Sequence, residues 1–263
     1  EIALIELNPT MEDSRKLSFM EFDLVQQTVA HPYRRQITWQ TFDEKANRVA
    51  NMLIDRGIKK GDKVAILLMN WLDWLPIYFG ILKTGAIAVP LNFRYAADEI
   101  SYCVRLADVD VLVFGPEFVS RMAAIADEIK LRFTFYVGKN GPAYTEDCIR
   151  LMGFCSTSAP PVALTEKDYA AIYFSSGTTG FPKGVMLTHY NVVNNGKCIG
   201  DRLGLSTADR FLIQVPMFHC FGMTLSMTSS MTHGTTMCPM PYFSAKASLS
   251  CITNEKITCF NGV

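Results

Sequence analysis

The chain has 263 residues, 49% apolar and 19% charged, which excludes the disordered class and is enough for one large domain or two small ones around a sizeable core. Lys and Arg together number 25 and Asp and Glu 25, so the net charge is zero and the basic footprint of a nucleic-acid binder is absent. Eight cysteines lie mostly in apolar runs with no C-x-x-C pair, and with four scattered histidines they read as reduced, buried thiols rather than a metal cluster. No signal peptide is visible and no apolar run approaches the roughly 20 residues that span a bilayer, so a soluble, cytoplasmic protein with at most weak peripheral membrane contact is expected.

Strand-like and helix-like segments alternate from Lys59 to Gly138. The apolar run 64–69 predicts a buried strand, and residues 71–83 carry apolar positions at helical spacing up to a stop at Gly85. Residues 86–90 form a further apolar run. A helix is predicted over 97–107, a strand over 109–114, a proline-opened helix over 116–130 and a strand over 133–137. Residues 141–161 are looser, and 156–161 read as a linker. Alternation then resumes, with a strand over 169–174, a helix starting at Thr188, a strand over 211–215 and a helix over 221–233. A strand over 235–238, a helix over 245–255 and a strand over 257–260 follow. This pattern predicts an α/β fold of two packed parallel-sheet subdomains with helices on both faces, one over residues 1–160 and a second, incomplete one over 161–263. An apolar strand directly before Val263 raises the expectation that the polypeptide continues.

The strand over 169–174 leads into Ser175, Ser176, Gly177, Thr178, Thr179, Gly180, Phe181, Pro182, Lys183 and Gly184. Three glycines let backbone N–H groups approach oxygen atoms, four hydroxyls add donors, Lys183 adds a point positive charge, and Pro182 stiffens the approach to it. These are the groups a polyphosphate needs. The triphosphatase pattern G-x-x-x-x-G-K-[ST] fails, because counting from Gly177 puts Pro182 at the second glycine and Gly184 at the Ser/Thr. G-x-G-x-x-G is also absent. A ligand-free Ser/Thr/Gly turn is the plain alternative, but such turns rarely gather these groups in ten residues after a buried strand.

The stretch from Ile172 to Met186 resembles the AMP-binding signature of the adenylate-forming enzymes, the superfamily of acyl-CoA synthetases, firefly-type luciferases and peptide-synthetase adenylation domains. Thr188-His189-Tyr190-Asn191 is similar to the T-H-x-N of acyl-CoA ligases, and Pro216-Met217-Phe218-His219-Cys220-Phe221-Gly222 to their P-x-F-H-x-x-G. Residues 257–263, 60–64 and 83–92 fit the same family, so the resemblance runs from about Thr41 to Val263. It implies ATP-dependent conversion of a carboxylic acid to an acyl-adenylate with release of pyrophosphate, then thioester formation with coenzyme A and release of AMP. In that scheme the loop holds the β- and γ-phosphates, with Lys183 offsetting their charge by positioning and electrostatics.

By the same resemblance, His219 stands at the carboxylate end of the acyl pocket; by itself it reads as a histidine at a helix start. Met223, Met227 and Met231 recur every fourth residue, either as core or as a soft wall for an acyl tail. Cys220, Phe221 and Gly222 lie nearest the carboxyl group in this reading. An apolar wall with no acidic partner for an amine favours a fatty acid over an amino acid, with an aryl-acid CoA ligase or a non-catalytic adenylate-binding module as alternatives. His189 and His233 read as structural, and Trp71, Trp74, Tyr78 and Phe79 as core. Three family elements are not present up to Val263: the Y-G-x-T-E segment whose glutamate binds magnesium, the ribose-binding aspartate, and the C-terminal catalytic lysine. The chain by itself is therefore expected to be inactive, with no metal ligand of its own. The stretch from Ala30 to Thr38 is shorter than the family's usual strand region there.

Overall fold

A computed structural model describes residues 1–7, 34–175 and 182–262. The chain runs through β1 (Ile2–Leu7), β2 (Arg34–Thr38), α1 (Trp39–Asp55), β3 (Lys63–Leu67), α2 (Trp74–Lys83), β4 (Ile87–Pro90), α3 (Ala97–Leu106) and β5 (Val111–Phe114). A 3₁₀ turn (Pro116–Phe118) opens α4 (Val119–Ile125), followed by β6 (Phe133–Tyr136), β7 (Glu146–Asp147), α5 (Cys148–Phe154), β8 (Tyr169–Ser175) and β9 (Lys183–Thr188). Then come α6 (His189–Leu203), β10 (Arg210–Ile213), a π-helical segment (Phe221–Thr228), α7 (Ser229–Thr232), β11 (Thr236–Pro239), α8 (Ala245–Glu255) and β12 (Cys259–Phe260).

The fold is α/β, as the alternation predicts, and its strands form two sheets. One has seven strands in the order β7-β6-β5-β3-β4-β8-β9, the other five in the order β12-β10-β11-β1-β2. Both are mostly parallel, but each ends in an antiparallel pair: β8 with β9, and β1 with β2. All four residues of β4 and of β5 are buried, which is why such strands read as unbroken apolar runs.

The division of the chain differs from a single boundary near residue 160. One compact unit comprises Asp43–Leu68 and Trp74–His189, and the other Glu1–Phe42, Met69–Asp73 and Tyr190–Val263. Strand pairing is the reason. β8 adds to the seven-stranded sheet beside β4, in parallel register Ala88↔Ala171, and β9 folds back on it. β1 meanwhile pairs in parallel with β11, far along the sequence.

Three local readings are corrected. The helix predicted over 116–130 ends at Ile125, where the N–H groups of Glu128 and Ile129 both return to the Ile125 carbonyl. The looser region contains α5, capped by Asp147, whose carboxylate accepts the Arg150 N–H, with Cys148 and Met152 buried one turn apart. The stretch read as a linker is fastened: α1 directs Arg48 to the carbonyls of Met152, Gly153 and Cys155, Asn47 to that of Thr157, and Asn51 to those of Ser156 and Ser158. One guanidinium fork and two carboxamides thus satisfy carbonyls at and beyond the end of a helix, where no intrahelical partner exists.

Within the second unit, α6 approaches the π-helical segment and α7 through glycine. A Cβ at Gly196 would stand 2.4 Å from Thr228 Cγ2, and one at Gly200 would stand 2.3 Å from the His233 ring. His233 is held there, its Nδ1 2.9 Å from the Ser229 carbonyl and its Nε2 3.1 Å from Asp201 Oδ1. Added methyl groups have no free volume to enter. Gly196→Ala is expected to lower stability by about 1–3 kcal/mol in urea denaturation, while Cys198→Ser on the exposed face of the same helix stays within about 0.5 kcal/mol.

Candidate functional site

The glycine-rich loop hangs from a hairpin. β8 and β9 pair antiparallel from Tyr169↔Thr188 to Phe174↔Gly184 and Ser175↔Lys183, so the first hydroxyl residue and the lysine face each other across the ladder. Ser175 and Lys183 are both exposed, and Ser175 Oγ lies 3.5 Å from the Lys183 carbonyl. Pro182 is buried, with the Tyr102 hydroxyl 3.5 Å from its carbonyl. Ser176, Gly177, Thr178, Thr179, Gly180 and Phe181 lie outside the described residues. Gly184 is a strand residue of β9, and its absent side chain leaves room for Ile172, whose Cγ2 would be 3.0 Å from a Cβ.

β9 itself was not legible beforehand, because its residues from Lys183 to Met186 are exposed and show no buried alternation. It delivers the chain to His189 at the start of α6. The His189 N–H donates to the Asp168 carbonyl (3.0 Å), and Asp168 is held by Lys60 at 2.7 Å and by Thr165. His189 Nε2 is buried and has no hydrogen-bond partner. Burial pushes the pKa of the imidazole down, the nearby Asp168 opposes this, and Lys60 adds to it.

The second cluster belongs to the unit of the five-stranded sheet. His219 is exposed at the end of a tight turn whose N–H donates to the Pro216 carbonyl (3.2 Å). Its own carbonyl accepts the N–H groups of Gly222 (3.0 Å) and Met223 (2.9 Å). The Phe221 N–H donates to His219 Nδ1 at 3.2 Å. A ring nitrogen that accepts cannot carry the proton, so the neutral imidazole is assigned as the Nε2–H tautomer. Cys220 is exposed, with its Sγ 3.7 Å from His219 Nδ1. Gly222 is required: a Cβ there would lie 2.2 Å from the Pro216 oxygen.

The helix after this turn is π-wound rather than α-helical over Phe221–Thr228. Hydroxyls account for part of this: Ser226 Oγ donates to the Phe221 carbonyl and Thr228 Oγ1 to that of Met223, each five residues back. Met223 and Met227 are fully buried, whereas Met231 is half-buried. Sequence reasoning passed over Asn70, which bonds the backbone on both sides of Pro216; no motif or spacing marks it. Among the described residues no group of three or more His, Cys, Asp or Glu side chains is placed to hold a metal ion, and no helix is long and apolar enough to cross a membrane.

Residues 24–263 match the family model described as AMP-binding enzyme. The chain belongs to this family. It is 31% identical over 233 residues to the long-chain-fatty-acid–CoA ligase FadD13 of Mycobacterium tuberculosis, covering 86% of this chain and 44% of that protein. The N-terminal domain of FACL13 from Mycobacterium tuberculosis, solved with an inhibitor, superposes with a TM-score of 0.77 at 29% identity, covering 87% of this chain and 56% of that one. The anthranilate CoA ligase AuaEII, solved with anthranoyl-AMP, superposes with a TM-score of 0.83 at 27% identity, covering 86% and 44%. The chain spans about half the length of the curated relatives it matches.

The depressed His189 pKa has a consequence for stability. As pH falls below the unfolded value of 6.5, the unfolded chain takes up the proton first, so the folded state loses stability from there down to the folded pKa and not above pH 6.5. Urea midpoints measured between pH 7.5 and 5 should decline over that window, and His189→Gln should flatten the decline; an unchanged slope in the variant would refute the assignment.

Proposed function

We propose that this chain forms the phosphate-gripping and acyl-binding part of an AMP-forming acyl-CoA ligase that activates a fatty acid. The carboxylate oxygen attacks the α-phosphorus of ATP, the bond to the β-phosphate breaks, and pyrophosphate leaves. The thiolate of coenzyme A then attacks the acyl carbon and AMP leaves. The observation that carries this reading is the hairpin, which sets Ser175 and Lys183 opposite each other at the two ends of the signature loop. An ammonium carried on the ladder, with the hydroxyls and glycines of the loop sequence, would match the charge that builds on the leaving pyrophosphate, which calls for positioning and electrostatic stabilisation rather than covalent help.

His219 supplies the second element. With Nδ1 occupied by the Phe221 N–H, its Nε2–H remains to donate to the substrate carboxylate. Cys220 and Phe221 stand beside it, and Gly222 lets the turn close. The fatty-acid assignment draws on the long-chain substrate in the name of FadD13 and on the apolar π-helical segment. Because Met223 and Met227 are fully buried, they act in this reading as the backing of the acyl wall and not as its surface. Magnesium, as the family resemblance implies, would screen the phosphate charge.

Two measurements on the natural protein that carries this chain test the proposal. ATP–pyrophosphate exchange across octanoate, palmitate, benzoate and anthranilate should respond to the fatty acids; a response to the aryl acids alone would establish the aryl-acid reading, which the AuaEII likeness keeps in view. Lys183→Ala should lower the adenylation rate by about 100-fold, the scale of losing one preorganised charge at a developing anion, with a smaller effect on thioester formation from supplied acyl-adenylate.

A further inference from the structure

We infer that Asn70 is a positioning residue for His219, an inference that rests on the role proposed for His219 above. Asn70 lies in the segment Met69–Asp73 and is 2% exposed. Its Nδ2 donates to the Val215 carbonyl at 3.0 Å, and its Oδ1 accepts the Met217 N–H at 3.0 Å. One carboxamide therefore takes the two backbone groups that flank Pro216, a residue with no N–H of its own. The Pro216 carbonyl accepts the His219 N–H, and Gly222 closes against the same carbonyl. His219 in turn receives the Phe221 N–H on Nδ1. Asn70 thus holds the backbone on either side of Pro216, the Pro216 carbonyl holds the start of the His219 turn, and within that turn the Phe221 N–H meets the ring nitrogen that decides where the imidazole carries its proton.

The carboxamide is itself fixed. Two residues on, the Leu72 N–H donates to Glu6 Oε2 at 2.6 Å, and Glu6 is fully buried and gripped by the Arg35 guanidinium. Asn70 is therefore a rigid bracket. Only an amide serves, because both a donor and an acceptor are used. Aspartate would set an oxygen against the Val215 carbonyl, and leucine would leave both backbone groups unpaired in the interior. The consequence falls on the carboxylate end of the substrate site. Misplacing a group that orients substrate weakens binding and reaction of the acid while sparing ATP.

The test compares Asn70→Asp and Asn70→Leu with the unmodified full-length protein. Pyrophosphate release gives KM for the acid and for ATP, thermal melts report folding, and ¹⁵N-histidine NMR reads the His219 tautomer without substrate. The expected result is a rise of about tenfold in the acid KM with the ATP KM within about twofold, in folded variants. Unmodified protein should show His219 as Nε2–H, and Asn70→Leu should shift its nitrogen signals toward a tautomer mixture. An unchanged acid KM, parallel rises in both KM values, or an Nδ1–H tautomer in the unmodified protein would overturn the inference. So would unfolding of both variants, which would make Asn70 a purely structural residue. If the unmodified protein activates no carboxylic acid, the proposed function fails, while the nitrogen signals of His219 still decide whether Asn70 positions it.

Discussion

Glu6 carries a carboxylate on β1, the strand next to the edge strand β2, and it is wholly shut off from water. Such a group is stable only when its charge is matched and its lone pairs are taken, and breaking a buried pair by removing one partner typically costs about 3–5 kcal/mol. Arg35 on the neighbouring strand meets it with two guanidinium nitrogens, and the Leu72 N–H meets it from a segment 66 residues away. One side chain therefore fixes β1 against β2 and fastens Met69–Asp73 to the same unit. Arg35 also approaches Asp73, at 3.7 Å, at the far end of that segment. The tight turn bearing His219 is held from this anchored stretch, so the polar interior of the five-stranded unit and the geometry of its exposed histidine share one origin.

The chemistry proposed for the chain divides between two devices of different character. The hairpin presents charge and hydroxyls from the end of a ladder, where backbone pairing sets the spacing. The His219 turn presents a ring nitrogen whose proton is placed by a backbone amide two residues on.

The α/β class was legible because fully buried parallel strands leave apolar runs, and β3, β4 and β5 each do so. The loop from Ser175 to Gly184 stood out because its glycines, hydroxyls and lysine are contiguous in sequence, and the structure describes only its ends, at Ser175 and from Pro182 on. Three features were hidden for physical reasons. β9 exposes Val185 and Met186, so its pairing with β8 leaves no alternation to read. The π winding of Phe221–Thr228 draws on hydroxyls reaching carbonyls five residues back, a choice that an apolar period of four does not reveal. The grip of Asn47, Arg48 and Asn51 on residues 152–158 joins positions over 100 residues apart, so a Ser-Thr-Ser-Ala-Pro-Pro stretch looked like free chain. Asn70 is hidden in the same way, since its partners at Val215 and Met217 are nearly 150 positions distant.

The antiparallel register of β8 and β9 also bears on how the signature loop can vary. Closing a loop carries an entropic cost that grows only with the logarithm of its length, about 0.6 kcal/mol for each doubling. Here strand pairing closes it, because Ser175 and Lys183 are already opposite each other. The position of Lys183 is thus dictated by the strand across from it and not by the residues between. A change in the number of residues between Ser175 and Lys183 would therefore carry only a small closure cost while the lysine keeps its place on the ladder.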